Sequence, residues 1–173
     1  MRSLNYSRLV SRQSRRFARL RNLIPQMPFS YAVHKELNLV VSTGTDCVSW
    51  KEIKASQDHT QTDPTFHPLF DQIIDLRAVT SFDMTTEQVR VLARRAIFSL
   101  TSKRALVASS PAIFGVGRMW KMFTDLSDNP SQIRVFYDLS SALMWLGLET
   151  LPTPMKSEPK CMKTQQSCPY LFL

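Results

Sequence analysis

The stretch FDQIIDLRAVTSFDMTTEQVRVLA, Phe70 to Ala93, constrains this chain more than any other, because a strand, a polar loop and an amphipathic helix follow one another without a gap. Ile73, Ile74 and Leu76, flanked by Asp71 and Asp75, form the kind of apolar run that suits a parallel strand covered on both faces. Asp83, Thr85 and Thr86 then supply helix-capping oxygens before Val89, Leu92, Ala93, Ala96 and Ile97 recur at helical spacing. In open α/β sheets, functional groups collect on loops of this kind.

The flanking segments extend the pattern. Phe29 to His34 and Leu39 to Thr45 read as two antiparallel strands joined by a polar turn, with His34 solvated in it. A helix over 50–57 is closed by the Asp63-Pro64 dipeptide. The strand 72–76 and a helix over 86–98 follow, then a strand at 104–108. Ser110 and Pro111 start a helix that runs to about Leu126. Ile133 to Phe136 is the last strand, and Asp138 caps a final helix that meets Gly147 as its stop. The order ββαβαβαβα predicts an α/β fold: a mixed, largely parallel sheet of about five strands with an opening hairpin and about four helices.

Composition matters chiefly through where the charge sits. The net charge of +8 invites a nucleic-acid partner, yet residues 1–26 hold seven Arg and no acid, whereas 27–149 hold twelve Lys or Arg against thirteen Asp or Glu. The high pI therefore belongs to the ends of the chain, not to a folded basic face, and no nucleic-acid partner is expected. Three domains of composition follow. Residues 1–26 are a basic leader, either a disordered or spurious N-terminal extension, a basic helix that lies on an anionic membrane or an acidic partner, or a targeting segment. Residues 27–149 form the α/β domain, and 150–173, with Pro152, Pro154 and Pro159, form a disordered tail. The odd cysteine count, Cys47, Cys161 and Cys168, suits a reduced cytoplasm. No apolar run approaches the ~20 residues needed to span a bilayer.

With this order in hand, the chain resembles the STAS-type fold, named for sulfate transporters and anti-sigma-factor antagonists, and in particular its SpoIIAA-like branch of small stand-alone bacterial proteins. The resemblance covers about residues 27–149. It is carried by the opening hairpin, by FDQIIDLRAVTSFDMTTEQVRVLA, by KRALVASSPAIFGVGRMW and by IRVFYDLSSALMWLGLE. In the anti-sigma-factor antagonists a serine at the start of the helix after the central strand is phosphorylated, and the matching position here is near Thr85. The resemblance thus implies a phospho-acceptor or partner loop at Asp83, Thr85 and Thr86. The sequence departs from the family's Asp-Ser-Ser-Gly pattern, with Met84 and Thr86 in place of a serine and the glycine. The residues alone equally allow Thr85 as a helix cap in a capping box with Gln88.

No catalytic constellation is visible, and no enzyme, cofactor or metal is expected. His59, Asp63 and His67 are spaced by four, but Pro64 and Pro68 break the helix that would align them. Gly115 and Gly117 read as a place of close helix packing, and Ser109-Ser110-Pro111 as a cap. Asp75 and Arg77 flank Leu76 at the end of the central strand, where they can orient a ligand or pair as ions. The helix from Pro111 carries more apolar surface, including Met119, Trp120 and Phe123, than one sheet face needs. Either the final helix covers the surplus or a partner or ligand does. Asp75, Arg77, Met119, Trp120 and Phe123 make up a candidate ligand crevice. Arg90, Arg94 and Arg95 make up a candidate partner face. The leading expectation is a non-catalytic regulatory or protein-interaction domain, self-association included. The alternative is a domain that binds a small apolar molecule or lipid.

Overall fold

A computed structural model describes residues 28–127 and 130–152. The leader, Met27 and the tail beyond Pro152 lie outside the described residues, and so do the expectations made for them. The elements are β1 (Phe29–His34), β2 (Leu39–Ser49), α1 (Trp50–Thr62), β3 (Asp71–Asp83), α2 (Thr86–Ala93), β4 (Lys103–Val107), α3 (Pro111–Asp125), β5 (Gln132–Phe136) and α4 (Leu139–Leu146). The strands lie in the order β1-β2-β3-β4-β5. The first pair is antiparallel and the other three are parallel. This is the mixed sheet that the order of elements predicts.

Local chemistry sets the helix starts. Ser49 and Glu52 form a capping box on α1, and Thr85 and Gln88 form one on α2. Ser110 accepts from Ile113 N ahead of Pro111, and Asp138 accepts from Ser141 N. Gly147, at φ 76, terminates α4 in the left-handed region that glycine enters without strain.

The period-two alternation of the strands feeds two layers. Phe29, Ile74, Leu76, Leu106 and Ile133 face α1, α2 and α3, which contribute Ile53, Leu92, Ile113 and Trp120 to the same core. Leu39, Ile73, Ala105 and Val107 face α4 through Ala142 and Leu143 on the other side. A smaller cluster joins Val40, Ile97 and Phe98.

Several expectations need correction: α1 runs to Thr62 rather than 57, and β2 to Ser49 rather than Thr45. β3 extends to Asp83, because beyond the Asp75–Val107 pair it runs on with β2 alone as a two-stranded ribbon. α2 ends at Ala93, not Phe98, since Ile97 and Phe98 leave the helix to bury against Val40. His34 is not solvated: the turn is the 3-10 segment Lys35–Leu37, so His34 stays in β1, buried, with Nε2 unpaired among the described residues. The final helix does not cover the apolar surplus of α3, because it packs on the opposite face of the sheet.

Candidate functional site around Arg104 and Trp120

Gln72 is the second residue of β3 and Arg104 the second of β4, and the parallel register places them side by side. Both point to the face that carries Ile74 and Leu106, two residues on along each strand. Arg104 Nε donates to Gln72 Oε1 at 2.9 Å, and Gln72 Nε2 donates to Ser42 Oγ at 2.9 Å. The guanidinium carbon lies 4.8 Å from the Phe98 ring centroid and 5.8 Å from that of Trp120, so two aromatic faces flank the charge.

Arg104 is 5% exposed. Arginine is almost never so deeply buried unless it is paired. Here the Gln72 bond is its one hydrogen bond among the described residues, and no carboxylate there forms an ion pair with it. Burial pulls its pKa down to about 10, which leaves it charged at neutral pH.

α1 roofs this group with Ser56, Gln57 and Thr60, and α3 brings Trp120, so that a cavity forms between them. Two polar atoms near it are buried without a partner among the described residues, Trp120 Nε1 and Gln57 Oε1. A second cavity, lined by Leu76, Met84, Leu106 and Val116, lies on the apolar side and shares Phe29, Ile53, Ile74 and Trp120 with the first. Each leaves about 10 Å³ for the centre of a water-sized sphere, room for about one water. Any larger occupant requires α1 or α3 to shift.

The residues singled out in the sequence are distributed differently. Trp120 lines both cavities, but Asp75 and Arg77 line neither. Instead they bind each other: Arg77 Nε and Nη2 donate to the two Asp75 oxygens at 2.9 and 2.8 Å. Asp75 is also mid-strand rather than terminal. Met119 and Phe123 pack at the margin of the three-helix core, and Arg90 lies over the Phe123 ring at 5.0 Å while pairing with Glu87 at 2.7 Å. Thus α2, with Tyr137 stacked 3.9 Å from Phe114, covers much of the α3 surplus.

Arg95 pairs with Asp58 of α1, and Arg94 is exposed at the end of α2. The three arginines therefore do not present one free face. Thr85 accepts from Gln88 N at 3.3 Å, the geometry of the capping reading, and Thr86 and Asp83 are exposed beside it. Asp63 accepts from the Tyr31 hydroxyl at 3.2 Å, and His59 and His67 are exposed.

Sequence reading missed Arg104, Gln72, Ser42 and Gln57. One signal was present, a charged residue inside the apolar run RALVA, but a strand-edge lysine or arginine is ordinary and only burial makes this one unusual.

No protein-family model matches the chain, and no curated protein matches it. Among solved structures it is similar to an uncharacterised protein of the DUF3478 family with a SpoIIAA-like fold, from Shewanella loihica PV-4. The TM-score is 0.48 and the identity 12%, over 68% of this chain and 93% of that one. That likeness carries nothing to this chain about binding or catalysis. No helix among the described residues is long and apolar enough to cross a membrane.

Proposed function

We propose that this domain is a non-catalytic binding module that holds a small, largely apolar molecule in the seam between the sheet, α1 and α3, beside Trp120. The observation that carries the reading is the convergence of two cavities on one buried indole whose Nε1 has no partner among the described residues. A buried polar atom left unpaired costs about 1 to 3 kcal/mol, and a ligand that pairs it recovers that cost on binding. The apolar walls suit a hydrocarbon body, in keeping with sites that combine many apolar residues with few polar ones. Because the seam is nearly closed, only a minor, opened population binds, and apparent affinity is reduced in proportion.

A native mass spectrum of the full chain isolated from its own host, paired with a denaturing spectrum, tests the reading. A non-covalent small-molecule mass that disappears on denaturation supports it. A bare chain whose Trp120 indole N–H resonance is also unmoved by 1-octanol would sink it.

A second reading, a regulatory contact with a protein partner in a reducing cytoplasm, is favoured by Met122 and Leu126. They lie four apart, Met122 on the last turn of α3 and Leu126 capping its end, 49% and 76% exposed. Recovery of the same partner by the wild-type chain and by Met122→Lys/Leu126→Glu would reject that surface.

A further inference from the structure

We infer that Arg104 is the anchor for an anionic headgroup, and that the molecule held beside Trp120 carries a single carboxylate. This rests on the binding reading above and makes it chemically specific.

Three independent features point to an anion. The first is the uncompensated charge: an arginine only 5% exposed, with no acid paired to it among the described residues, is expensive to keep unless something neutralises it. The second is its orientation. Gln72 occupies Nε, and Ser42 fixes Gln72 in turn, so the end of the fork, Nη1 and Nη2, is left to donate. The third is a separate donor at the same cavity, Trp120 Nε1, buried and unpaired among the described residues. Gln57 Oε1, also unpaired there, belongs to an amide whose two ends exchange by a simple flip, and the flipped amide turns its NH₂ toward the same space.

The charge count selects the class. Among the described residues Arg104 is the one cationic side chain lining either cavity, so it balances one negative charge, not two. Two parallel N–H groups match the two oxygens of a carboxylate. Next to them lie Phe29, Ile53, Ile74 and Phe98, apolar walls that receive a hydrocarbon body, which inorganic phosphate lacks. An apolar monocarboxylic acid fits both halves. The site lies at the amino ends of β3 and β4, opposite the strand ends at which open α/β sheets usually bind ligands.

Titration of the full chain with octanoate, 1-octanol and inorganic phosphate, followed by calorimetry and by the Trp120 indole N–H resonance, tests the assignment. Octanoate is expected to bind at least about tenfold tighter than 1-octanol, the scale of one charge-assisted pair. In Arg104→Met the preference for octanoate over 1-octanol should vanish, because the charge that creates it is gone. Equal binding of octanoate and 1-octanol to the wild-type chain overturns the carboxylate and leaves the binding module standing. Phosphate binding as tight as octanoate overturns the class of anion. Binding of none of the three overturns both proposals together. The wild-type comparison needs no variant, so misfolding of Arg104→Met would not protect the inference.

Discussion

Gln72 and Arg104 are register partners on adjacent parallel strands, and their side chains are joined by a 2.9 Å hydrogen bond beneath two helices. Neither is a residue that a sheet interior favours, and each makes the other tolerable. Gln72→Leu should destabilise the fold by about 1 to 3 kcal/mol, because it strands the guanidinium. Adding Arg104→Met should recover most of that loss, since an apolar pair replaces a buried charge at little or no cost. Denaturant melts of the two single variants and the double variant give the coupling. Strict additivity would mean that the bond contributes nothing.

Gly115 and Gly117, two apart on α3, should respond oppositely to a methyl group. A Cβ at Gly115 meets nothing within 4 Å, so Gly115→Ala gains helix propensity and should stabilise by up to about 1 kcal/mol. A Cβ at Gly117 lies 3.1 Å from Val135 Cγ1 and 3.3 Å from Leu106 Cδ2, which offsets that gain. Gly117→Leu should overpack the seam and cost about 1 to 3 kcal/mol. Thermal melts that rank Gly117→Leu level with Gly115→Ala would place α3 further from the sheet than described.

Burial alone would raise the Asp75 carboxyl, but side-chain and backbone hydrogen bonds from Arg77, with its charge, hold it below the ordinary carboxylate value. A carboxyl lowered in the folded state stabilises it fully above the unfolded value, about 3.9, and that contribution fades as pH falls through the folded value. The wild-type chain should therefore lose stability on acidification below about pH 4, and Asp75→Asn should lose less over the same window. Parallel acid dependence in the two chains, read from denaturant midpoints, would show that the Asp75–Arg77 pair is not coupled to folding.

Ile74 is 2% exposed on the middle strand and lines both cavities. Ile74→Ala should cost about 2 to 5 kcal/mol in chemical denaturation, transfer and cavity terms together. A loss below about 1 kcal/mol would mean that the site collapses around the missing atoms or that β3 is not central.

Much of the fold was legible locally. Ser49, Thr85, Ser110 and Asp138 each carry a short oxygen that satisfies an N–H of the following helix, and Gly147 tolerates a positive φ. Those effects act within four residues, so the chain itself reports them. The ends of β3 and α2 were less legible. Residues 77–83 form strand because β2 runs alongside them, and Ile97 and Phe98 abandon the helical period because Val40 and Arg104 need covering.

The candidate site divides the same way. Trp120 announced itself as a large ring on an apolar helix, and Asp75 and Arg77 as charges beside a buried run. Their partners did not. Asp75 and Arg77 satisfy each other, Arg95 reaches Asp58 thirty-seven residues away, and the cavity is assembled by Gln72, Arg104 and Gln57 from three separate elements. By itself the sequence determined the order and kind of the elements, because periodicity and capping are short-range. Which charge loses its water, and which polar atoms are left facing one another, only the tertiary structure decided. Burial is a property of what packs against a residue, and that is set by strand order and helix placement, which no local window contains.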